Sequence, residues 1–166
     1  MANPKIIQAA VALAACLSMS ALADERVQQD PPPSFLARAT SGASTLVMSA
    51  LELVGIRYRR GGTSPETGFD CSGFVDHVFR EGLGMILPHN ASAMSKSGEK
   101  VAKEELQPGD LVFFNTMRHA FSHVGIYLGE NRFVHAPASG GEVRVEDMTV
   151  PYWAKRFNGA RRMTVD

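Results

Sequence analysis

Residues 68–75 of the chain read Gly68-Phe69-Asp70-Cys71-Ser72-Gly73-Phe74-Val75. The segment predicts a helix over residues 71–82, because Asp70 is a favourable N-cap and apolar residues follow it at helical spacing. Cys71 then lies in the first helical turn, where the helix dipole and unpaired backbone N–H groups favour the thiolate over the thiol. The apolar residues share its face, so the thiol is expected to point toward the packed side of the helix. Such a cysteine is either a small buried hydrophobic residue or a nucleophile.

The elements outside this helix follow one order, with helices first and strands later. Residues 44–55 carry apolar side chains at helical spacing and predict a first helix, and shorter helices are predicted near residues 91–97 and 151–157. The predicted strands are Leu111–Phe114, His123–Leu128, Arg132–His135, Glu142–Val145 and Arg161–Val165. Hairpin-spaced strands after a helical half indicate the α+β class, with helices packed on a central antiparallel sheet.

Two of these strands bring a pair of histidines together. If residues 129–131 form a three-residue turn, Gly125 faces His135, and His123 lies on the same face as a diagonal neighbour. A two-residue turn without a bulge would place the two rings on opposite faces of the sheet. A thiol nucleophile needs a base and a group that orients the base, and this pair fits both needs. The alternatives are two structural histidines or a Cys–His–His zinc site. Since the spacing favours no fourth ligand, we predict no metal.

Tyr58 precedes a loop that reads Arg59-Arg60-Gly61-Gly62. The glycines allow the loop to approach a cleft closely. A tyrosine hydroxyl beside the thiolate would help to hold the thiolate or a developing oxyanion. The alternative is a tyrosine that serves in packing.

The N-terminus has the layout of an export signal. Lys5 precedes a small and apolar stretch that ends near Leu22, and Ala21-Leu22-Ala23 fits a cleavage site, so residues 1–23 are predicted to be a signal peptide cleaved after Ala23. The mature protein is then periplasmic or secreted. Leu13-Ala14-Ala15-Cys16 resembles a lipobox, so a lipid anchor at Cys16 is the alternative. Residues 24–43 are polar and carry three consecutive prolines, which predicts a flexible linker before a domain at residues 44–166.

Composition excludes several classes of protein. The chain has 166 residues, of which 45% are hydrophobic and 20% charged, and 17 basic residues balance 17 acidic ones. These values exclude a disordered chain and argue against a nucleic-acid-binding protein, which would carry a basic surplus. Apolar runs are too short for a membrane span in the mature form. We expect a monomer without a cofactor.

Taken together, the motifs resemble the NlpC/P60 family of cell-wall cysteine peptidases, which are papain-like in fold. The resemblance covers residues 44–163. The tail residues 151–157 and 160–162 look like the small exported murein endopeptidases of Gram-negative bacteria. The matching segments are Tyr58-Arg59-Arg60-Gly61-Gly62-Thr63, residues 68–75, Leu87-Pro88, residues 106–114, Ser122-His123-Val124-Gly125-Ile126-Tyr127-Leu128-Gly129 and Phe133-Val134-His135-Ala136.

The resemblance implies roles for the candidate residues. Cys71 would be the nucleophile, and His123 would be the general base and then the acid for the leaving amine. His135 would orient His123, while Tyr58 and backbone N–H groups near the thiol would stabilise the oxyanion.

Two further positions are assigned through the resemblance alone. In relatives that trim γ-D-glutamyl–diamino acid bonds, the positions of Asp70 and Ser72 help to hold a free substrate amine. Arg60 departs from the commoner family pattern, in which an aromatic or apolar residue precedes the glycine pair, and this departure is expected either to alter the mouth of the cleft or to attract acidic groups of the stem peptide.

The implied function is hydrolysis of peptidoglycan stem peptides through a cysteine thioester. The bond is either the cross-bridge between D-alanine and a diamino acid or the γ-D-glutamyl–diamino acid bond, and the tail resemblance favours the cross-bridge. The alternatives are a non-catalytic peptidoglycan-binding module and a thiol-dependent amidase or acyltransferase on a related fold.

Overall fold

The structure is a computed structural model and describes residues 35–116, 120–139 and 141–164, with residues 35–41 described by their backbone alone. The helices are α1 (Phe35–Glu52), α2 (Cys71–Leu83), α3 (Ala91–Met94) and α4 (Pro151–Ala154), with a 3-10 turn at Lys103–Glu105. The strands are β1 (Thr63–Ser64), β2 (Gly68–Phe69), β3 (Glu99–Val101), β4 (Leu111–Phe114), β5 (His123–Gly129), β6 (Arg132–His135), β7 (Arg144–Asp147) and β8 (Phe157–Arg162).

Six of these strands form one sheet in the order β3-β8-β4-β5-β6-β7. Every neighbouring pair in it is antiparallel. The short strands β1 and β2 form a separate hairpin. The α+β class with an antiparallel sheet, predicted from the order of the elements, is therefore confirmed.

Apolar side chains cover both faces of the central strands. In β4, Leu111 and Phe113 join the core that contains α1 and α2, while Val112 and Phe114 join a second cluster with Trp153 of α4. This division follows from the alternation of side chains along a strand. The sheet is thus held between the two long helices on one side and the short helix α4 on the other.

Helix α2 begins as the sequence predicts. Asp70 is the N-cap, and its Oδ1 accepts a hydrogen bond of 2.7 Å from the backbone N–H of Gly73. Its Oδ2 accepts another of 2.9 Å from the N–H of Gly61. A Cβ at position 73 would collide with the carbonyl oxygen of Gly62, so a glycine is needed for the loop to approach the helix. The loop that follows Tyr58 is therefore fastened to the first turn that carries Cys71.

The β5–β6 hairpin has the predicted register but a different turn. Ile126 pairs with Val134, while Gly129 pairs with Arg132, and the register shifts between residues 127 and 129. Two residues with positive φ, Glu130 and Asn131, form the turn, as is typical of hairpin turns of the type I′ class. The prediction of a three-residue turn was wrong. The irregularity compensates for the shorter turn, so the face on which the histidines lie is unchanged.

Other element bounds differ from the sequence prediction. Helix α1 begins at Phe35, so residues 35–43, expected to be part of a linker, are helical. Strand β7 is Arg144–Asp147 rather than Glu142–Val145, and β8 is Phe157–Arg162 rather than Arg161–Val165. Strand β3 and the β1–β2 hairpin lie in segments for which no strand was predicted. Short strands and ends of strands depend on neighbours distant in sequence, which local patterns do not contain.

The predicted signal peptide, its cleavage site at Ala23 and the alternative anchor at Cys16 lie outside the described residues. So does most of the predicted linker. Among the described residues, no helix has the length and apolar character that crossing a membrane requires.

Candidate active site

The thiol of Cys71 lies at the N-terminus of α2, where the helix meets the sheet. Cys71 is partly buried and packs against the core formed by α1, α2 and the sheet. The backbone N–H groups of Ser72, Val124 and Cys71 itself lie close enough to the sulfur to favour its thiolate. Because Val124 follows His123 in β5, the fold brings the predicted nucleophile to the strand that carries the predicted base.

The surroundings of Cys71 nevertheless favour the neutral thiol. Burial and, next, the negative charge of Asp70 raise the pKa of Cys71 to about 11, and the nearby N–H groups only partly oppose them. The sequence led us to expect a thiolate, because a helix N-terminus stabilises negative charge. That expectation is corrected here, since desolvation of the sulfur outweighs the effect of the helix terminus.

His123 and His135 form the pair that the hairpin register predicts. Nε2 of His123 lies 2.7 Å from Nδ1 of His135, and both side chains are buried. Gly125 leaves the space for this pair, because a Cβ there would lie 3.1 Å from the Cβ of His135. Both rings contact the indole of Trp153, with centroid distances of 5.8 Å for His123 and 5.0 Å for His135.

Burial keeps this histidine pair neutral. Burial and, next, the neighbouring His135 lower the pKa of His123 to about 3. Burial also lowers the pKa of His135, against the opposing influence of Glu146. A neutral imidazole is the form that can accept a proton, so His123 is prepared to act as a base toward a thiol.

Glu146 is a residue of this site that the sequence analysis missed. Its Oε1 lies 3.8 Å from Nε2 of His135, and its carboxylate accepts hydrogen bonds from Nε of Arg144 and Nε1 of Trp153. The neighbouring His135 is the main cause that lowers the pKa of Glu146 to about 2, and the hydrogen bonds from Arg144 and Trp153 add to it. The alternation of Arg144 and Glu146 along the chain could have indicated that both lie on one face of a strand. The predicted strand ended at Val145, so the pairing of Glu146 with β6 was not predicted.

Tyr58 lies near the thiol, as predicted. Burial raises the pKa of Tyr58, and the charges of Cys71 and Asp70 raise it further, while Arg60 opposes them. The hydroxyl therefore stays protonated at neutral pH and is available as a hydrogen-bond donor beside the sulfur. The influence of Arg60 on Tyr58 also places Arg60 on the same side of the site.

Asp70 and Ser72 have structural partners. Both carboxylate oxygens of Asp70 accept backbone N–H groups, and the hydroxyl of Ser72 donates to Oδ1 of Asp70 over 3.0 Å. Ser72 is buried. These contacts give both residues a role in shaping the start of α2, and a role in holding a substrate amine stays a prediction.

Beside the histidine pair, an open groove runs along β7 and α4. It is lined by Ser139, Arg144, Glu146, Val150, Tyr152 and Trp153. In the part of the chain that the structure describes, no three His, Cys, Asp or Glu side chains are arranged to hold a metal ion.

The comparison with protein families gives a direct match. The model of the NlpC/P60 family matches residues 55–162, which is more than half of the chain and contains the helix, the hairpin and β7. The chain belongs to the NlpC/P60 family. Membership agrees with the resemblance seen in the sequence and with the α+β fold.

Solved NlpC/P60 structures share this fold. An NlpC/P60 family protein from Bacillus cereus is 31% identical, with a TM-score of 0.67, over 80% of this chain and 41% of its own length. The shared architecture therefore extends over most of the described residues.

Two curated relatives have named activities. The chain is 47% identical over 109 residues to the Murein DD-endopeptidase MepS/Murein LD-carboxypeptidase of Escherichia coli, which covers 66% of this chain and 56% of that protein. It is 42% identical over 118 residues to the Gamma-DL-glutamyl hydrolase of Bacillus subtilis, which covers 70% of this chain and 28% of that protein. The similarity thus spans about half or less of each relative's length.

Proposed function

We propose that the protein is a cysteine peptidase that hydrolyses the stem peptides of peptidoglycan. One observation carries the proposal. The thiol of Cys71 lies at a helix N-terminus beside β5, whose first residue, His123, is bound to His135. The name of the E. coli relative, which includes a murein endopeptidase, supports this substrate class.

The first half of the proposed reaction is acylation of Cys71. Because burial favours the neutral thiol, the proton of Cys71 passes to His123 as the sulfur attacks the amide carbonyl carbon. The carbonyl oxygen becomes an oxyanion, and we assign the hydroxyl of Tyr58 and backbone N–H groups at the start of α2 as its donors. The protonated His123 then gives its proton to the leaving amine, and a thioester on Cys71 remains.

The second half is hydrolysis of the thioester. A water molecule loses a proton to His123 as its oxygen attacks the thioester carbonyl. The acid product leaves, and the proton returns to the sulfur of Cys71. His135 holds the ring of His123 in place through both halves, since their nitrogens are 2.7 Å apart.

Two bonds in the stem peptide are candidates for cleavage. One is the cross-bridge bond between D-alanine and a diamino acid, and the other is the γ-D-glutamyl–diamino acid bond. The name of the E. coli relative includes an endopeptidase and that of the B. subtilis relative a glutamyl hydrolase, so each bond has a parallel. We favour the cross-bridge because the identity to the E. coli protein is higher.

The experiment is digestion of purified disaccharide-peptide dimers and monomers, read by mass spectrometry. Wild-type protein is compared with Cys71→Ala, and Ser64→Ala, a change of similar size in strand β1, is the matched control. Conversion of dimers to monomers by wild type and control, with no conversion by Cys71→Ala, supports cleavage of the cross-bridge bond through Cys71.

Other products identify the alternatives. Stem peptides shortened after D-glutamate make the enzyme a γ-D-glutamyl peptidase. Products in which an amine other than water has accepted the acyl group make it an acyltransferase. Intact substrates together with binding to sacculi make the domain a peptidoglycan-binding module, and this result overturns the proposed hydrolysis.

The location that we propose is the periplasm or the medium. Residues 1–23 act as a signal peptide cleaved after Ala23, and lipidation at Cys16 is the alternative. Intact mass of the mature protein separates the two, because lipidation leaves a diacylated N-terminal cysteine. In this proposal residues 44–166 contain the catalytic domain, which acts as a monomer.

A further inference from the structure

Strand β7 places an acidic side chain against the buried side of the histidine pair. It pairs with β6 so that Arg144 lies opposite His135 and Glu146 lies opposite Phe133. His135 and Phe133 are two residues apart on β6, so Glu146 is the diagonal neighbour of His135 on the same face. Side chains in that relation approach each other across the strands, and Oε1 of Glu146 lies 3.8 Å from Nε2 of His135.

His135 has one ring nitrogen that the histidine pair does not use. Nδ1 faces His123, while Nε2 is buried and has no hydrogen-bond partner within bonding distance among the described residues. A buried N–H group without an acceptor is costly. A movement of about 1 Å would bring Glu146 within the usual hydrogen-bond distance of Nε2.

The tautomer of His135 decides what His123 can do. If Nε2 of His135 carries the proton, its Nδ1 accepts from Nε2–H of His123, and Nδ1 of His123 has a free lone pair. If Nδ1 of His135 carries the proton, it donates to His123, whose Nδ1 must then carry a proton and cannot accept one from the thiol. Only the first arrangement makes His123 a base, and an acceptor at Nε2 of His135 selects it.

The carboxylate of Glu146 is fixed in position for this purpose. Nε of Arg144 donates to Oε1, and Nε1 of Trp153 donates to Oε2. The charged and titratable groups that face it are therefore Arg144 on its own strand and His135 on β6, with His123 behind His135 on β5. Arg144 keeps the carboxylate ionised, and an ionised carboxylate can only accept hydrogen bonds.

We propose that Glu146 is a positioning residue that holds His135 in its Nε2–H tautomer and thereby leaves His123 able to accept the proton of Cys71. Arg144 and Trp153 hold the carboxylate, and the site becomes a chain of four residues rather than three. The expected effect on kcat rests on the proposed peptidase function, whereas the expected effect on the histidine tautomers does not.

The first test reads the tautomers directly and needs no activity. Nitrogen-15 chemical shifts of the two histidines are measured by NMR in the Cys71→Ala protein, alone and combined with Glu146→Leu. We expect the protein with Glu146 to show Nε2–H on both rings. With Glu146→Leu, the signals of His135 are expected to shift toward the Nδ1–H form. Unchanged shifts for both rings overturn the proposal.

The second test separates positioning from substrate binding. On the stem peptide that the wild type cuts, Glu146→Leu is expected to lower kcat about ten- to a hundredfold with KM nearly unchanged, as for other residues that orient a catalytic imidazole. Arg144→Met keeps the carboxylate of Glu146 but removes one of the hydrogen bonds that hold it, so a smaller loss of kcat is expected. Glu142→Gln, an exposed carboxylate just before β7, is the matched control and should retain full kcat.

The two tests fail in different ways. If the wild type cuts no stem peptide, the proposed function fails while the tautomer measurement still stands. If Glu146→Leu retains wild-type kcat, Glu146 does not position His135. If Glu146→Leu does not fold, Glu146→Met decides, since it keeps the length of the side chain and removes the acceptor, and wild-type tautomers and kcat in it overturn the proposal.

Discussion

Cys71 shows how one residue is subject to opposing influences. The helix N-terminus and three backbone N–H groups favour the thiolate, whereas burial and the charge of Asp70 favour the thiol and raise its pKa to about 11. The neutral pair of thiol and imidazole is therefore the expected resting form, and in the proposed reaction the ion pair forms only as the sulfur attacks. Such a nucleophile is protected from oxidation, because the thiolate is the species that reacts.

Alkylation of the thiol tests this resting form. We expect the rate constant for reaction of Cys71 with iodoacetamide to rise about tenfold per pH unit between pH 6 and pH 9, because the thiolate fraction rises in that way below the pKa. The loss of free thiol is followed by mass spectrometry in the wild type and in His123→Asn. A plateau near neutral pH that disappears in His123→Asn would show a resting ion pair instead.

At the scale of elements, the start of α2 couples stability to the position of the proposed nucleophile. Asp70 accepts from the N–H of Gly73 in the helix and from the N–H of Gly61 in the loop. Helix α3 has a similar cap, in which Asn90 accepts from the N–H of Ala93 over 2.7 Å. The two caps are alike chemically, but only that of Asp70 lies next to the thiol.

Because only the cap of Asp70 lies next to the thiol, replacing each cap residue by alanine is expected to affect activity unequally. Asp70→Ala and Asn90→Ala are each expected to lower the free energy of unfolding by about 1 kcal/mol, which is typical for loss of an N-cap side chain. Only Asp70→Ala is expected to lower kcat/KM by tenfold or more, since it releases the loop from the first turn of α2. Urea unfolding and stem-peptide hydrolysis measure the two effects. Equal loss of activity in both variants would contradict the coupling.

At the scale of the whole molecule, the buried neutral histidines make stability depend on pH. The pKa of His123 is about 3 in the folded protein, against 6.5 for an unperturbed histidine, and that of His135 is lowered as well. The unfolded chain therefore binds more protons than the folded chain below pH 6.5. Stability rises with pH wherever the unfolded state binds more protons, so acid destabilises the fold.

We expect the free energy of unfolding to fall by at least about 1.4 kcal/mol per pH unit between pH 6 and pH 4, which is the slope for one proton. Below pH 4.5 the unfolded chain also binds a proton at Glu146, whose pKa is about 2 in the folded protein, and this adds to the fall. Urea unfolding across this range measures the slope, and His123→Asn is expected to reduce it. Constant stability from pH 7 to pH 5 would contradict this account.

The sequence predicted those parts of the site that depend on local rules. Asp70 as a cap follows from residue type, and the contact of His123 with His135 follows from counting along a hairpin. Glu146 was missed because its role depends on the end of an edge strand. Asp76 of α2 is buried and accepts from the N–H of Leu87, a partner that only tertiary packing supplies.

The two halves of the site differ in how they assemble during folding. His123 and His135 lie on adjacent strands of one hairpin, so they meet through a short loop. Cys71 belongs to a helix from an earlier part of the chain, and closing the long loop between helix and hairpin carries a larger entropic cost. The base can therefore form before the nucleophile arrives. The recovery of activity on refolding consequently reports the docking of α2 on the sheet, not the formation of either element.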